Sequence, residues 1–308
     1  LQQKQRCIYY TINPSRKQPK QKMIYNFRPG STLAATEYFP KTTAYLKAIE
    51  IFTHRYYTVF VRRNTVMNTI EINNLTKKYK DITAVNNLSF AAKQGELIAL
   101  LGVNGAGKTT TVKMLSCLIK PTSGDASIMG FSITNEPEKV KEVINISPQE
   151  SAIAPNLTVT ENLEFTARIY GYSRSDCKKA VADIIERMSL QNVRNTKSKI
   201  LSGGYARRLS IAMAVITKPK VLFLDEPTLG LDVIARRELW SIIEDVKQSG
   251  TVILTTHYME EAEHLADRIA IMSHGCLKAL GTAAQLKVQS GAETLEDAFI
   301  KTASSADR

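Results

Sequence analysis

Eight consecutive residues constrain this chain more than any other stretch: Gly102-Val103-Asn104-Gly105-Ala106-Gly107-Lys108-Thr109. They spell the P-loop pattern, in which each fixed position has a physical task. Glycines allow positive φ and let backbone N–H groups come close to a triphosphate. The Lys108 ammonium can reach the β- and γ-phosphates, and the Thr109 hydroxyl can hold Mg²⁺. The flanks agree. Glu96-Leu97-Ile98-Ala99-Leu100-Leu101 reads as a buried strand, and Thr109-Thr110-Thr111-Val112-Lys113-Met114-Leu115 reads as a helix. Bound phosphates would therefore lie at a helix N-terminus, where free N–H groups and the dipole favour anions. The expected nucleotide contacts here are Gly102, Asn104, Gly105, Ala106, Gly107, Lys108, Thr109 and Thr110.

A second motif narrows the class. Val221-Leu222-Phe223-Leu224-Asp225-Glu226 is four apolar residues ending in two acids. A strand buried on both faces reads this way, with carboxylates emerging at its C-terminal edge. Asp225 is expected to bind Mg²⁺, and Glu226 to polarise the attacking water.

A third motif resembles the signature of the ATP-binding-cassette (ABC) ATPases. Leu201-Ser202-Gly203-Gly204-Tyr205 stands where that family normally has Leu-Ser-Gly-Gly-Gln. Ser202 and the N–H groups of Gly203 and Gly204 open a predicted helix and form a second anion site. In the family this site meets the γ-phosphate held by the other subunit's P-loop. Tyr205 departs from the family glutamine.

The resemblance implies further site residues. Tyr79 is similar to the aromatic residue that stacks on adenine, and Gln149 to the glutamine that touches Mg²⁺ and the water. Asp232, in Leu229-Gly230-Leu231-Asp232, matches the loop that meets the opposite subunit. His257 matches the histidine that contacts the γ-phosphate. The implied catalytic set is Glu226, His257, Lys108 and Gln149, with Thr109, Gln149 and Asp225 toward the metal. His264 with Glu260 and Glu261 invites a metal reading, but a solvated helix face is the expectation. Motif details at residues 102–107, 256–262 and 295–299 resemble the bacterial exporter branch.

The resemblance therefore implies an α/β fold of the ABC type of P-loop NTPase. It has a mixed sheet core, an antiparallel β subdomain and an inserted helical subdomain, here at about residues 150–217. It implies ATP and Mg²⁺ as ligands, hydrolysis of ATP, and a second ATPase subunit. It also implies a separate transmembrane permease subunit, location at the cytoplasmic face of the membrane, and export.

Charge is unevenly spread. Residues 1–66 carry 12 of the 41 Lys/Arg but 2 of the 29 Asp/Glu, so the remainder is nearly neutral and gives no reason to expect nucleic acid. Met67 resembles a natural start. Residues 1–66 are expected to be a poorly ordered extension, with a basic arm for anionic lipid or nucleic acid as the rival reading, and residues 67–308 the ATPase domain. No run of 18 apolar residues occurs, so a pore would have to be another polypeptide. Cys7, Cys117, Cys177 and Cys276 show no paired spacing and suit reduced thiols.

Local patterns complete the expectation. Strands should fill residues 69–101 and 143–146. Thr158 to Glu161 is a capping box, Asp176 to Met188 has a helical period, and Asp232 should cap a helix closed by Gly250. Two other classes share the motifs. Chromosome-maintenance ATPases insert long coiled coils between P-loop and signature, yet Lys108 and Ser202 are 94 positions apart. Translation factors of the superfamily carry two cassettes, and this chain has one. A binding-only module is disfavoured because Glu226 and His257 are both present.

Overall fold

The computed structural model describes residues 6–10, 22–26, 68–150 and 152–304. The chain divides into two units, Leu1–Asn64 and Thr65–Arg308. In the first, β1 (Arg6–Tyr10) and β2 (Lys22–Asn26) form an antiparallel pair. The extension expected at residues 1–66 otherwise lies outside the described residues.

The second unit is built on a six-stranded sheet in the order β12-β11-β5-β10-β9-β8. Its strands are β5 (Leu97–Leu101), β8 (Ile144–Ser147), β9 (Val221–Asp225), β10 (Thr251–Thr256), β11 (Arg268–Ser273) and β12 (Cys276–Gly281). All neighbours are parallel except β11 with β12. Every residue of β5, β9 and β10 is buried, which explains their unbroken apolar reading. Alternation sorts their side chains onto two faces. Leu97, Ala99, Leu101, Leu222, Leu224, Val252 and Leu254 join one core, while Ile98, Leu100, Val221, Phe223 and Ile253 join the other.

The second core is closed by an antiparallel sheet, β4-β3-β6-β7, formed by β3 (Asn68–Tyr79), β4 (Ile82–Lys93), β6 (Ser123–Ile128) and β7 (Phe131–Ser132). The strands expected from residue 69 to 101 are β3, β4 and β5. Helix α1 (Lys108–Leu115) leaves the P-loop, and α2 (Pro137–Val143) ends on Val143, so β8 begins one residue later than the sequence suggested.

Between β8 and β9 runs the helical insert: α3 (Val159–Ile169), α4 (Arg174–Arg187) and α5 (Gly203–Val215). The capping box forms as read. Thr158 N–H donates to Glu161 Oε2 at 2.8 Å, and Glu161 N–H donates to Thr158 Oγ1 at 3.2 Å. Helix α4 starts earlier than expected because Ser173 caps it, accepting from Asp176 N.

Helix α6 (Val233–Lys247) begins at Asp232, whose carboxylate accepts from Ala235 N at 2.9 Å. Its end corrects an expectation. The cap is Gln248 in a right-handed conformation, and Gly250 takes no left-handed cap conformation, although its N–H donates to the Lys247 carbonyl oxygen at 3.3 Å. Glycine is needed at 250 because a Cβ there would stand 2.9 Å from the Lys220 carbonyl oxygen. The chain finishes with α7 (Met259–Leu265), α8 (Ala283–Ser290) and α9 (Leu295–Ser304). No helix among the described residues is long and apolar enough to cross a membrane.

Candidate nucleotide site

Three neighbouring parallel strands, β5, β10 and β9, end side by side and deliver the P-loop, His257 and the Asp225–Glu226 pair to one edge of the sheet. Thr255 is registered with Leu100 on one side and Asp225 on the other. Ligand sites of open parallel sheets form at this carboxyl edge. Here a cleft of about 630 Å³ is lined by Asn104 through Thr110, Gln149, Glu226, Leu229 and His257.

The P-loop is shaped by its glycines. Gly107 sits at φ 99°, and a Cβ there would lie 2.5 Å from the Ala84 carbonyl oxygen of β4. A side chain at Gly102 would meet the Met272 carbonyl oxygen at 2.6 Å. Loop, antiparallel sheet and β11 are thus packed backbone to backbone, and only glycine fits.

Lys108 folds back across the loop. Its Nζ donates to the carbonyl oxygens of Gly102 at 2.7 Å and Val103 at 3.2 Å, and stands 3.2 Å from Glu226 Oε1. The other Glu226 oxygen lies 2.8 Å from His257 Nδ1. Both Lys108 and Glu226 are nearly buried, so each charge depends on the other. Glu226 occupies a left-handed conformation, φ 48°, uncommon for a residue with a side chain. Its N–H donates to Thr255 Oγ1 at 2.9 Å.

Asp225 is held beside it. Thr255 Oγ1 donates to Asp225 Oδ1 at 2.5 Å and Thr109 Oγ1 donates to the same oxygen at 3.1 Å. A hydroxyl and a carboxylate side by side form a hard-oxygen donor set suited to a small divalent cation such as Mg²⁺.

The remaining expected residues are distributed unevenly. Gln149 and His257 line the cleft, as do Asn104, Gly105, Ala106, Gly107, Thr109 and Thr110. Gly102 does not line it and instead accepts the Lys108 bond. Tyr79 is half exposed at the end of β3 with Lys77 Nζ 5.2 Å from its ring, and it is not part of the cleft wall. Ser202 caps α5, accepting from Tyr205 N, and Ser202 and Gly203 are exposed. With Gly204 and Asp232 they lie outside the cleft lining. Tyr205 packs partly against the core, with the Arg208 guanidinium 5.4 Å from its ring.

The group at His264 needs correction. Glu260 and His264 are exposed, but Glu261 is fully buried and accepts from Trp240 Nε1 at 3.2 Å. Burial raises its carboxyl above the usual range. The expected solvated face therefore excludes Glu261. Trp240 is core and stacks on His264.

Several site residues escaped the sequence reading. Thr255 is the shared anchor of Asp225 and Glu226. Ile82, Thr83, Ala84 and His274 line the cleft from the antiparallel sheet and the β11–β12 turn. Arg207 of α5 is 6% exposed, and burial lowers its pKa to about 10, so it remains charged near neutrality. Its guanidinium donates to three carbonyl oxygens: Pro148 at 2.5 Å, Asp225 at 2.7 Å and Pro227 at 2.8 Å. Bonds to a charged donor are worth about 1.5–3 kcal/mol each. The available signal was an arginine four residues before Ile211 on a helix face that is otherwise core.

The sheet order, the glycine-shaped loop ahead of α1 and the Asp225–Glu226 strand end define a P-loop nucleotide-binding ATPase fold. The ABC transporter family profile matches residues 85–229. The chain is 40% identical over 227 residues to the daunorubicin/doxorubicin resistance ATP-binding protein DrrA of Streptomyces peucetius, covering 73% of this chain and 69% of that protein. It is 43% identical to the human phospholipid-transporting ATPase ABCA3 over 227 residues, 72% of this chain but 13% of that protein. Among solved structures, the dimeric post-hydrolysis state of the ATP-binding cassette MJ0796 bound to ADP and Pi matches with a TM-score of 0.63 and 26% identity, over 69% of this chain and 98% of that one. The chain belongs to the ABC transporter family and contains its ATP-binding ATPase domain.

Proposed function

We propose that this chain hydrolyses Mg-ATP at the cleft with Glu226 as general base, and that hydrolysis powers a separate membrane-spanning export subunit. The observation that carries the reading is the Glu226 carboxylate, held between Lys108 and His257 beside the P-loop. Backbone N–H groups of residues 104–110 bind the phosphates. Lys108 exchanges its Glu226 partner for phosphate oxygens, which leaves Glu226 free to accept a proton from the attacking water. As the water oxygen bonds to the γ-phosphorus, the bridging oxygen leaves with ADP. His257 orients the γ-phosphate, and Gln149 contacts the water. Thr109 and Asp225, with Gln149, would hold Mg²⁺, which when bound neutralises charge on the phosphates.

Ser202, Gly203, Gly204 and Asp232 serve a second copy's nucleotide, a division of labour supported by their place outside the cleft and by the dimeric MJ0796 relative. Tyr79 stacks on adenine. The ATPase domain is residues 67–308, at the cytoplasmic face of the membrane, and residues 1–66 are an extension. Export is supported by the drug-resistance name of DrrA. The purified chain should release phosphate from ATP only with a divalent cation, and Lys108→Ala should lose nucleotide binding. Affinity purification from membranes should recover a multi-span protein. Failure to release phosphate, or unchanged binding in Lys108→Ala, would refute the enzymatic reading, and recovery of no membrane protein the transport reading.

A further inference from the structure

We infer that Arg207 is a positioning residue for hydrolysis, tying the backbone beside Gln149 and on both sides of Glu226 to the helix that Ser202 caps. The inference rests on the functional reading above and extends it to a side chain outside the cleft. The three acceptors belong to two segments. Pro148 immediately precedes Gln149, and Asp225 and Pro227 flank Glu226. Arg207 therefore brackets Glu226 through its neighbours' carbonyls without a hydrogen bond to its carboxylate.

The bracket has work to do. Glu226 is in a sparsely populated conformation, which persists only where the surroundings over-determine it. Its N–H is fixed from β10 by Thr255, and the carbonyls of the residues on either side, Asp225 and Pro227, are fixed from α5 by Arg207. A guanidinium suits this role because its donors diverge in one rigid plane and reach three carbonyls at once. A lysine ammonium projects its donors from a single point and cannot span the same set. Arg207 lies five residues after Ser202, so movement of the α5 start is transmitted to both the Gln149 loop and the base.

Arg207→Lys and Arg207→Met in the full chain test this. Turnover with KM for Mg-ATP is read beside hydrogen–deuterium exchange of residues 147–150 and 225–229, below the melting temperature of each variant. Arg207→Lys should bind Mg-ATP within about threefold of the parent while kcat falls about tenfold. Arg207→Met should lose about a hundredfold in kcat, the scale of a misplaced reacting group. Exchange should quicken in both segments and stay parental in β5 and β10. A folded variant with parental kcat, or with parental exchange in both segments, overturns the inference. So does loss of folding in both variants, which would make the role structural alone. If the parent itself fails to hydrolyse ATP, the functional reading falls, and the exchange measurement still decides whether Arg207 ties these segments.

Discussion

Replacing Glu226 with glutamine separates binding from chemistry, and the structure sets the size of each effect. The amide keeps the shape of the carboxylate but cannot take a proton from water. General-base contributions of about 10²–10⁴-fold correspond to roughly 2.7–5.5 kcal/mol of barrier. The cost to the ligand-free fold is smaller. Deleting one partner of a buried ion pair can cost about 3–5 kcal/mol when the other charge is stranded. Lys108 is not stranded, because the Gly102 and Val103 carbonyls remain and the glutamine oxygen can still accept. A loss of about 1–2 kcal/mol is expected. With nucleotide the balance reverses. The variant no longer sets a carboxylate against the γ-phosphate, and Lys108 has no competing anion. Mg-ATP should therefore raise the melting temperature of Glu226→Gln by more than that of the parent, and the variant should accumulate as a dimer. Calorimetry, a phosphate-release assay and light scattering in Mg-ATP provide the test. Parental hydrolysis would remove Glu226 from the role of base. A smaller thermal gain than in the parent would refute the charge-exchange reasoning.

Three further expectations concern other sites. In the folded chain the Glu261 carboxyl is raised by burial, so above the unfolded value of about 4.3 the native state binds the extra proton. Its contribution is most favourable below that pH and is lost as pH rises toward the raised folded value. Glu261→Gln, which keeps an acceptor for Trp240, should melt above the parent at pH 7–8, with the gap closing toward pH 4. Tyr205→Gln should change turnover by less than about tenfold, or 1.4 kcal/mol, because Ser202 and the backbone at the α5 start are untouched. Ser202→Arg should abolish turnover, and equal damage from the two changes in a phosphate-release assay would contradict the docking role of Ser202.

The strands and the P-loop were legible because burial on both faces leaves an unbroken apolar run, and because the glycine pattern admits few conformations. Glu226, Asp225 and Gln149 were legible as motif positions. Thr255 was not, since a threonine in a β-strand is ordinary until the register sets it opposite Asp225. Arg207 was hidden because its partners are main-chain carbonyls, which leave no mark in a sequence. Glu261 was misplaced because an acid near an exposed histidine reads as solvated, and only the fold brings Trp240 over it. Gly250 was read as a helix stop, whereas its constraint is a carbonyl from residue 220.

The helical insert leaves the sheet from β8 and returns in β9, its immediate neighbour. An excursion that departs and re-enters at adjacent parallel strands has a fixed footprint whatever its length. Length can be added where the insert makes no tie back to the sheet, but the α3–α4 connection is not such a place, because Tyr172 Oη donates to the Ile216 carbonyl oxygen, five residues before β9, at 3.0 Å. The segments around 148 and 207–227 cannot vary this way, because Arg207 stitches them together. Related chains should therefore differ in size at the far end of the insert and keep constant spacing at its root.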